Sequence, residues 1–94
     1  MQITDINIRK LFDNDPLRAI VSVTIDNELA VHDIKVIHTS TSDRYFVMMP
    51  NRKGPDGTLH DTVHPINSVS REKLESAVLE AYHAKLAAEQ ETKE

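Results

Sequence analysis

Leu17-Arg18-Ala19-Ile20-Val21-Ser22-Val23-Thr24-Ile25, Asp26-Asn27-Glu28 and Leu29-Ala30-Val31-His32-Asp33-Ile34-Lys35-Val36-Ile37-His38, read in succession, decide the fold. In the first run Ala19, Val21, Val23 and Ile25 share one face of an extended chain, and Ile20, Ser22 and Thr24 share the other. Both faces carry apolar groups, which predicts a central strand over 17–25. Asp26-Asn27-Glu28 is a short polar turn that folds the next run back beside it. Regular alternation along 29–38 then predicts Ala30, His32, Ile34 and Val36 on one face and Leu29, Val31, Asp33 and Lys35 on the other.

Working outward, Ile6 and Ile8 alternate with polar neighbours and predict a first strand over 2–11, broken by Asp13-Asn14-Asp15-Pro16. Residues 39–44 form a polar hairpin loop, and Tyr45-Phe46-Val47-Met48-Met49 is an apolar strand stopped by Pro50. A long connection over 51–57 holds both glycines of the chain and a Pro-Asp-Gly turn; Leu59 to His64 then reads as a short last strand. From Ser68 the period becomes helical, with Leu74, Ala77, Val78, Ala81, Tyr82 and Leu86 on an arc widened by Leu79. Lys73, Ser76, Glu80 and His83 face away, and Ser68 or Ser70 is the expected cap.

These elements predict an α+β chain: a four- to five-stranded antiparallel sheet followed by one C-terminal amphipathic helix. The expected domain covers residues 1–88, with a polar acidic tail at 89–94 that holds Glu89, Glu91 and Glu94. A single helix covers one sheet face, leaving the other face or an edge for solvent or a second subunit. Because the strand from Tyr45 to Met49 is apolar on both faces, a homodimer that buries part of it, or an adjacent sheet edge, is expected.

Ninety-four residues without cysteine must be stabilised by packing, and no thiolate chemistry or disulfide framework is available. The N-terminus is acidic at Asp5, and no apolar run approaches the ~18 residues of a membrane span, so a cytoplasmic location is expected. Net charge is −4, which argues against a generic polyanion binder. The cations are nevertheless clustered: Arg52, Lys53, Arg71 and Lys73 lie close together in the chain, whereas acids crowd its end.

The five histidines, His32, His38, His60, His64 and His83, lack a metal-binding helical spacing. If both stood on one strand, His60 and His64 would be about 13 Å apart, too far for one ion. His32, among apolar neighbours, reads as a structural histidine. There is no nucleophile elbow and no phosphate-cradling glycine loop, and Asp33, Asp56 and Asp61 show no spacing that demands a carboxylate cluster. No catalysis, metal, cofactor or small-molecule substrate is expected.

The informative stretch is Met48 to Asn67. It is either a hairpin loop with solvated charges or a proline-stiffened presentation of Arg52 and Lys53 to phosphates. Arg71 and Lys73 open the helix where anions are favoured, so a bound phosphate would explain them; alternatively, Arg71 pairs with Glu75 at i+4.

Met1-Gln2-Ile3-Thr4-Asp5-Ile6, the paired runs from Ala19 to Ile37, Met49-Pro50-Asn51-Arg52-Lys53, Pro55-Asp56-Gly57 and His64-Pro65-Ile66-Asn67-Ser68 occur in one order. Over residues 1–85 this resembles the septation protein SpoVG family of bacteria, also called stage V sporulation protein G. The resemblance implies a dimeric regulator of septation, sporulation and gene expression that binds DNA and in some members RNA. It places the family's basic pair on Arg52 and Lys53 and its helix-opening basic residue on Arg71. Where the family commonly has arginine or lysine before Asp61, this chain has His60. The leading expectation is a homodimeric nucleic-acid-binding regulator with Arg52, Lys53, Arg71 and Lys73 at the contact; the alternative is a protein-interaction adaptor in division or sporulation.

Overall fold

The computed structural model describes residues 1–92, with side-chain surroundings through Glu89. Strands β1 (Ile3–Leu11), β2 (Leu17–Ile25), β3 (Leu29–Thr39) and β4 (Arg44–Met48) form an antiparallel sheet in the order β1-β2-β3-β4. Short strands β5 (Asn51–Lys53) and β6 (Leu59–Asp61) pair in a separate two-stranded sheet, and helix α1 (Ser68–Thr92) follows. The predicted α+β architecture holds. The last strand does not join the main sheet, however: it ends at Asp61 and pairs with residues expected to be loop. Pro50 is the reason. It has no N–H to extend β4, and its carbonyl accepts the Thr62 N–H at 2.8 Å, closing a hairpin of its own.

The β2–β3 turn forms as its residues dictate. Asp26 and Asn27 both take positive φ, at 54° and 55°, and Glu28 N–H donates to the Ile25 carbonyl at 3.0 Å. Positive φ at both central positions is the pattern of a type I′ turn, whose twist matches the strands and which asparagine and aspartate tolerate.

A bulge in β3 overturns the expected faces of that strand. Val21 pairs with Ile34 but Val23 pairs with Val31, so both His32 and Asp33 lie opposite Ser22, and Asp33 has φ of 64°. The extra residue reverses the alternation at that point. Val31 therefore joins Ile34 and Val36 in the core, whereas Ala30 and His32 are exposed.

The core lies between one face of the sheet and the helix. Ala19, Val21 and Val23 of β2, Val31, Ile34 and Val36 of β3, and Val47 and Met49 pack with Leu74, Val78 and Tyr82 of α1. Each large apolar side chain buried here contributes about 1.5–3 kcal/mol. The helix buries its expected arc and exposes Lys73, Ser76, Glu80 and His83. Its cap is neither serine: Asn67 Oδ1 accepts the Ser70 N–H at 2.8 Å, placing the N-cap one residue earlier. At the other end α1 runs on to Thr92, through positions expected to begin a tail; Lys93 and Glu94, the last of that tail, lie outside the described residues.

Candidate functional site

The β5–β6 ribbon is built by its own short-range bonds. Gly54 N–H donates to the Thr58 carbonyl at 2.8 Å and Gly57 N–H to the Gly54 carbonyl at 3.0 Å, with Gly57 at φ 83°, where a side chain would be strained. Asp56 braces the tip by accepting from the Thr58 hydroxyl at 2.8 Å and the Thr58 N–H at 3.1 Å. Those bonds, the hydroxyl first, hold the Asp56 carboxyl below its ordinary range. His60 Nε2 lies 2.7 Å from the same hydroxyl.

Arg52 and Lys53 are exposed on this ribbon, and among the described residues neither has a hydrogen-bond or ion-pair partner. They lie on a strand rather than a loop, so alternation sends them to opposite faces. Arg52 is opposite His60, and Lys53 is opposite Leu59 on the face that also carries Asn51 and Asp61. His60 therefore stands on the Arg52 face alone.

The two helix cations stand differently. Arg71 meets Glu75 at 3.7 Å, an exposed i,i+4 pair of the kind worth at most about 1 kcal/mol and readily exchanged for another anion. Lys73 donates to the Met1 carbonyl at 2.8 Å and so ties the helix to the start of the chain. Close by, Ile66 and Val69 are 88% and 76% exposed, an apolar pair at the helix entry.

The histidines separate by partner. His32 Nδ1 is 2.9 Å from the Ser22 hydroxyl, on the sheet face away from α1, and His64 Nδ1 is 2.9 Å from the Pro65 carbonyl beyond the end of β6. Among the described residues no group of three or more His, Asp or Glu is arranged to hold a metal ion. His38 is the one whose role sequence reasoning missed. Its Nδ1 lies 2.8 Å from Asp15 and its Nε2 2.8 Å from Asp43, so a carboxylate faces each ring nitrogen, an arrangement that favours the imidazolium, in which both nitrogens donate. The bonds to Asp43 and then Asp15 raise its pKa above the ordinary histidine value of 6.5. This clasp joins the β1–β2 loop to the β3–β4 loop, beside Arg18, Tyr45 and, against Tyr45, His83.

A pH dependence follows. A group whose pKa is raised on folding stabilises most below its unfolded value and loses that contribution as pH climbs through the folded value. The Tm advantage of the native chain over His38→Gln is therefore expected to be full below about pH 6.5 and to shrink above it. Thermal melts of both proteins across that range check this, and a gap that widens with pH would be incompatible with the clasp.

No helix of the described residues is long and apolar enough to cross a membrane. The model of the SpoVG family matches residues 1–84. A Clostridium acetobutylicum protein bearing the SpoVG septation-protein name is 53% identical over 93 residues, covering 99% of this chain and 95% of that protein. Relatives of the same name from Clostridium beijerinckii and Acetivibrio thermocellus are 51% identical over 89 residues and 47% over 92. These alignments cover 95% and 98% of this chain, and 96% of each relative.

Proposed function

The chain belongs to the SpoVG family, and from that membership and the unpartnered cations of its ribbon we propose a cytoplasmic bacterial regulator of septation, sporulation and gene expression that acts as a homodimeric DNA- or RNA-binding protein without catalysis. The observation that carries the reading is the pair Arg52 and Lys53, held exposed on a narrow two-stranded ribbon and in no ion pair among the described residues. One cation on each face suits a ribbon set between two phosphate strands, because each side chain then reaches a different wall of the groove. Arg71 adds a third contact by exchanging Glu75 for phosphate. Lys73, tied to Met1, assists from the helix side. Dimerisation is assigned to β4, an edge strand of the main sheet whose unpaired backbone suits pairing with a second copy. A second reading, an adaptor in division or sporulation, draws on exposed Ile66 and Val69, which suit a protein partner better than a phosphate.

Salt dependence separates the two. If Arg52 and Lys53 contact duplex phosphates, Arg52→Ala with Lys53→Ala reduces the magnitude of the negative slope of log affinity against log salt by about 1.8, at about 0.9 per phosphate. Stability should stay within about 0.5 kcal/mol, since both side chains are exposed. Binding titrations over a salt series, with the dimer verified by sedimentation, give the answer; an unchanged slope in a folded dimer moves the contact elsewhere.

A further inference from the structure

Among the described residues no element covers the face of the main sheet turned away from α1, and its composition departs from that of the whole chain. The register aligns Lys10, Ile20, Lys35 and Met48 in one row across all four strands, and Leu17, Ile37 and Phe46 in the next. Ile37 is buried yet stands apart from the core cluster, as does half-buried Ile20, so a strip of apolar surface runs across this side. Phe46 rises from it, 42% exposed. Phe12 lies on the same side, with Lys10 Nζ 5.1 Å from its ring centre.

Around this strip stand Arg9, Lys10, Lys35 and, by alternation along β4, Arg44. Among the described residues none of these side chains is in an ion pair. Arg9 lines a concavity of about 290 Å³ with Ile20, Ser22, His32 and Asp33. In a protein of net charge −4, cations outside any ion pair that border an exposed aromatic ring on an open sheet face select an anionic, planar ligand. A second copy laid face to face would press like charges against each other while desolvating them, which is unfavourable. A strand of nucleotides meets both demands, with phosphates for the cations and a base face for the ring.

We propose that this sheet face is a second nucleic-acid contact, specific for single strands, in which a base stacks on Phe46 while Lys10, Lys35 and Arg44 hold the adjoining phosphates. It rests on the reading of the chain as a nucleic-acid-binding protein and adds a site on the opposite side of the sheet from the helix. Pairing of β4 edges would leave the face open and set two such surfaces side by side.

The test uses the full chain with short homopyrimidine DNA, homopyrimidine RNA and a DNA duplex, followed by fluorescence anisotropy at low salt. Phe46→Leu keeps the face apolar but removes the ring, and should weaken single-strand binding on the order of ten-fold while leaving the duplex within about two-fold. Phe46→Trp should retain binding and, as the only tryptophan in the chain, should lose fluorescence when a base stacks on it. The DNA and RNA arms tell which strand is preferred. Single-strand binding unchanged in Phe46→Leu overturns the proposal. Loss of the dimer in that variant also overturns it, by showing that a second copy covers the face. If the native chain binds none of the three, the parent reading fails as well; if it binds and only the Arg52 and Lys53 substitutions matter, the ribbon stands and the sheet face does not.

Discussion

Tyr82→Ala is expected to lower stability by about 3–5 kcal/mol, close to the whole stability of a marginal domain of this size. Tyr82 is fully buried, with its ring centre 5.7 Å from that of Tyr45. Its hydroxyl accepts from Arg18 Nε at 3.5 Å, the first cause of that guanidinium's raised pKa. Truncation leaves a cavity between helix and sheet and takes a partner from Arg18. Tyr82→Phe isolates the smaller part, since it keeps the ring and loses only a long hydrogen bond, which costs about 1 kcal/mol. Urea unfolding of the three proteins checks both magnitudes. If Tyr82→Ala costs no more than Tyr82→Phe, the helix is not held by this ring.

The second large effect tests the β3 bulge directly. Val31→Asp buries an unpaired carboxylate among Val23, Ile34 and Val36 and is expected to prevent folding, at a cost above about 4 kcal/mol. Ala30→Asp, one residue away on the exposed face, should stay within about 0.5 kcal/mol of the native chain. Uninterrupted alternation from Ile34 and Val36 would place Ala30 inside and Val31 outside, so it demands the reverse result. Circular dichroism melts of the two variants decide between the registers.

The candidate site was partly legible. Arg52 and Lys53 stand out in the sequence because cations beside Pro50 and Pro55 are conspicuous in an acidic chain. Their opposite faces were hidden, since a three-residue strand carries no usable periodicity and exists only because Thr62 closes on Pro50. Residue type also singled out His38, but not its role. Its partner Asp15 is 23 residues away, and their meeting depends on how two loops converge at one corner of the sheet. For the open sheet face the signal was Tyr45 to Met49, apolar on both sides; which cations border it depends on the pairing of β1, β2 and β3.

By itself the sequence determined the number and kind of the main elements, because the period-two runs before Pro50 and the helical period after Ser68 are properties of local side-chain order. It also determined the β2–β3 turn, where Asp26 and Asn27 accept positive φ at little cost. Tertiary structure alone decided which of Ala30 and Val31 enters the core, and that the last strand leaves the main sheet to form the ribbon. The physical reason is shared. Side-chain direction follows from the sequence only while the strand stays regular; a bulge at Asp33 or a broken ladder at Pro50 resets it, and whether that break is stabilised depends on what the neighbouring strand and the helix can bury.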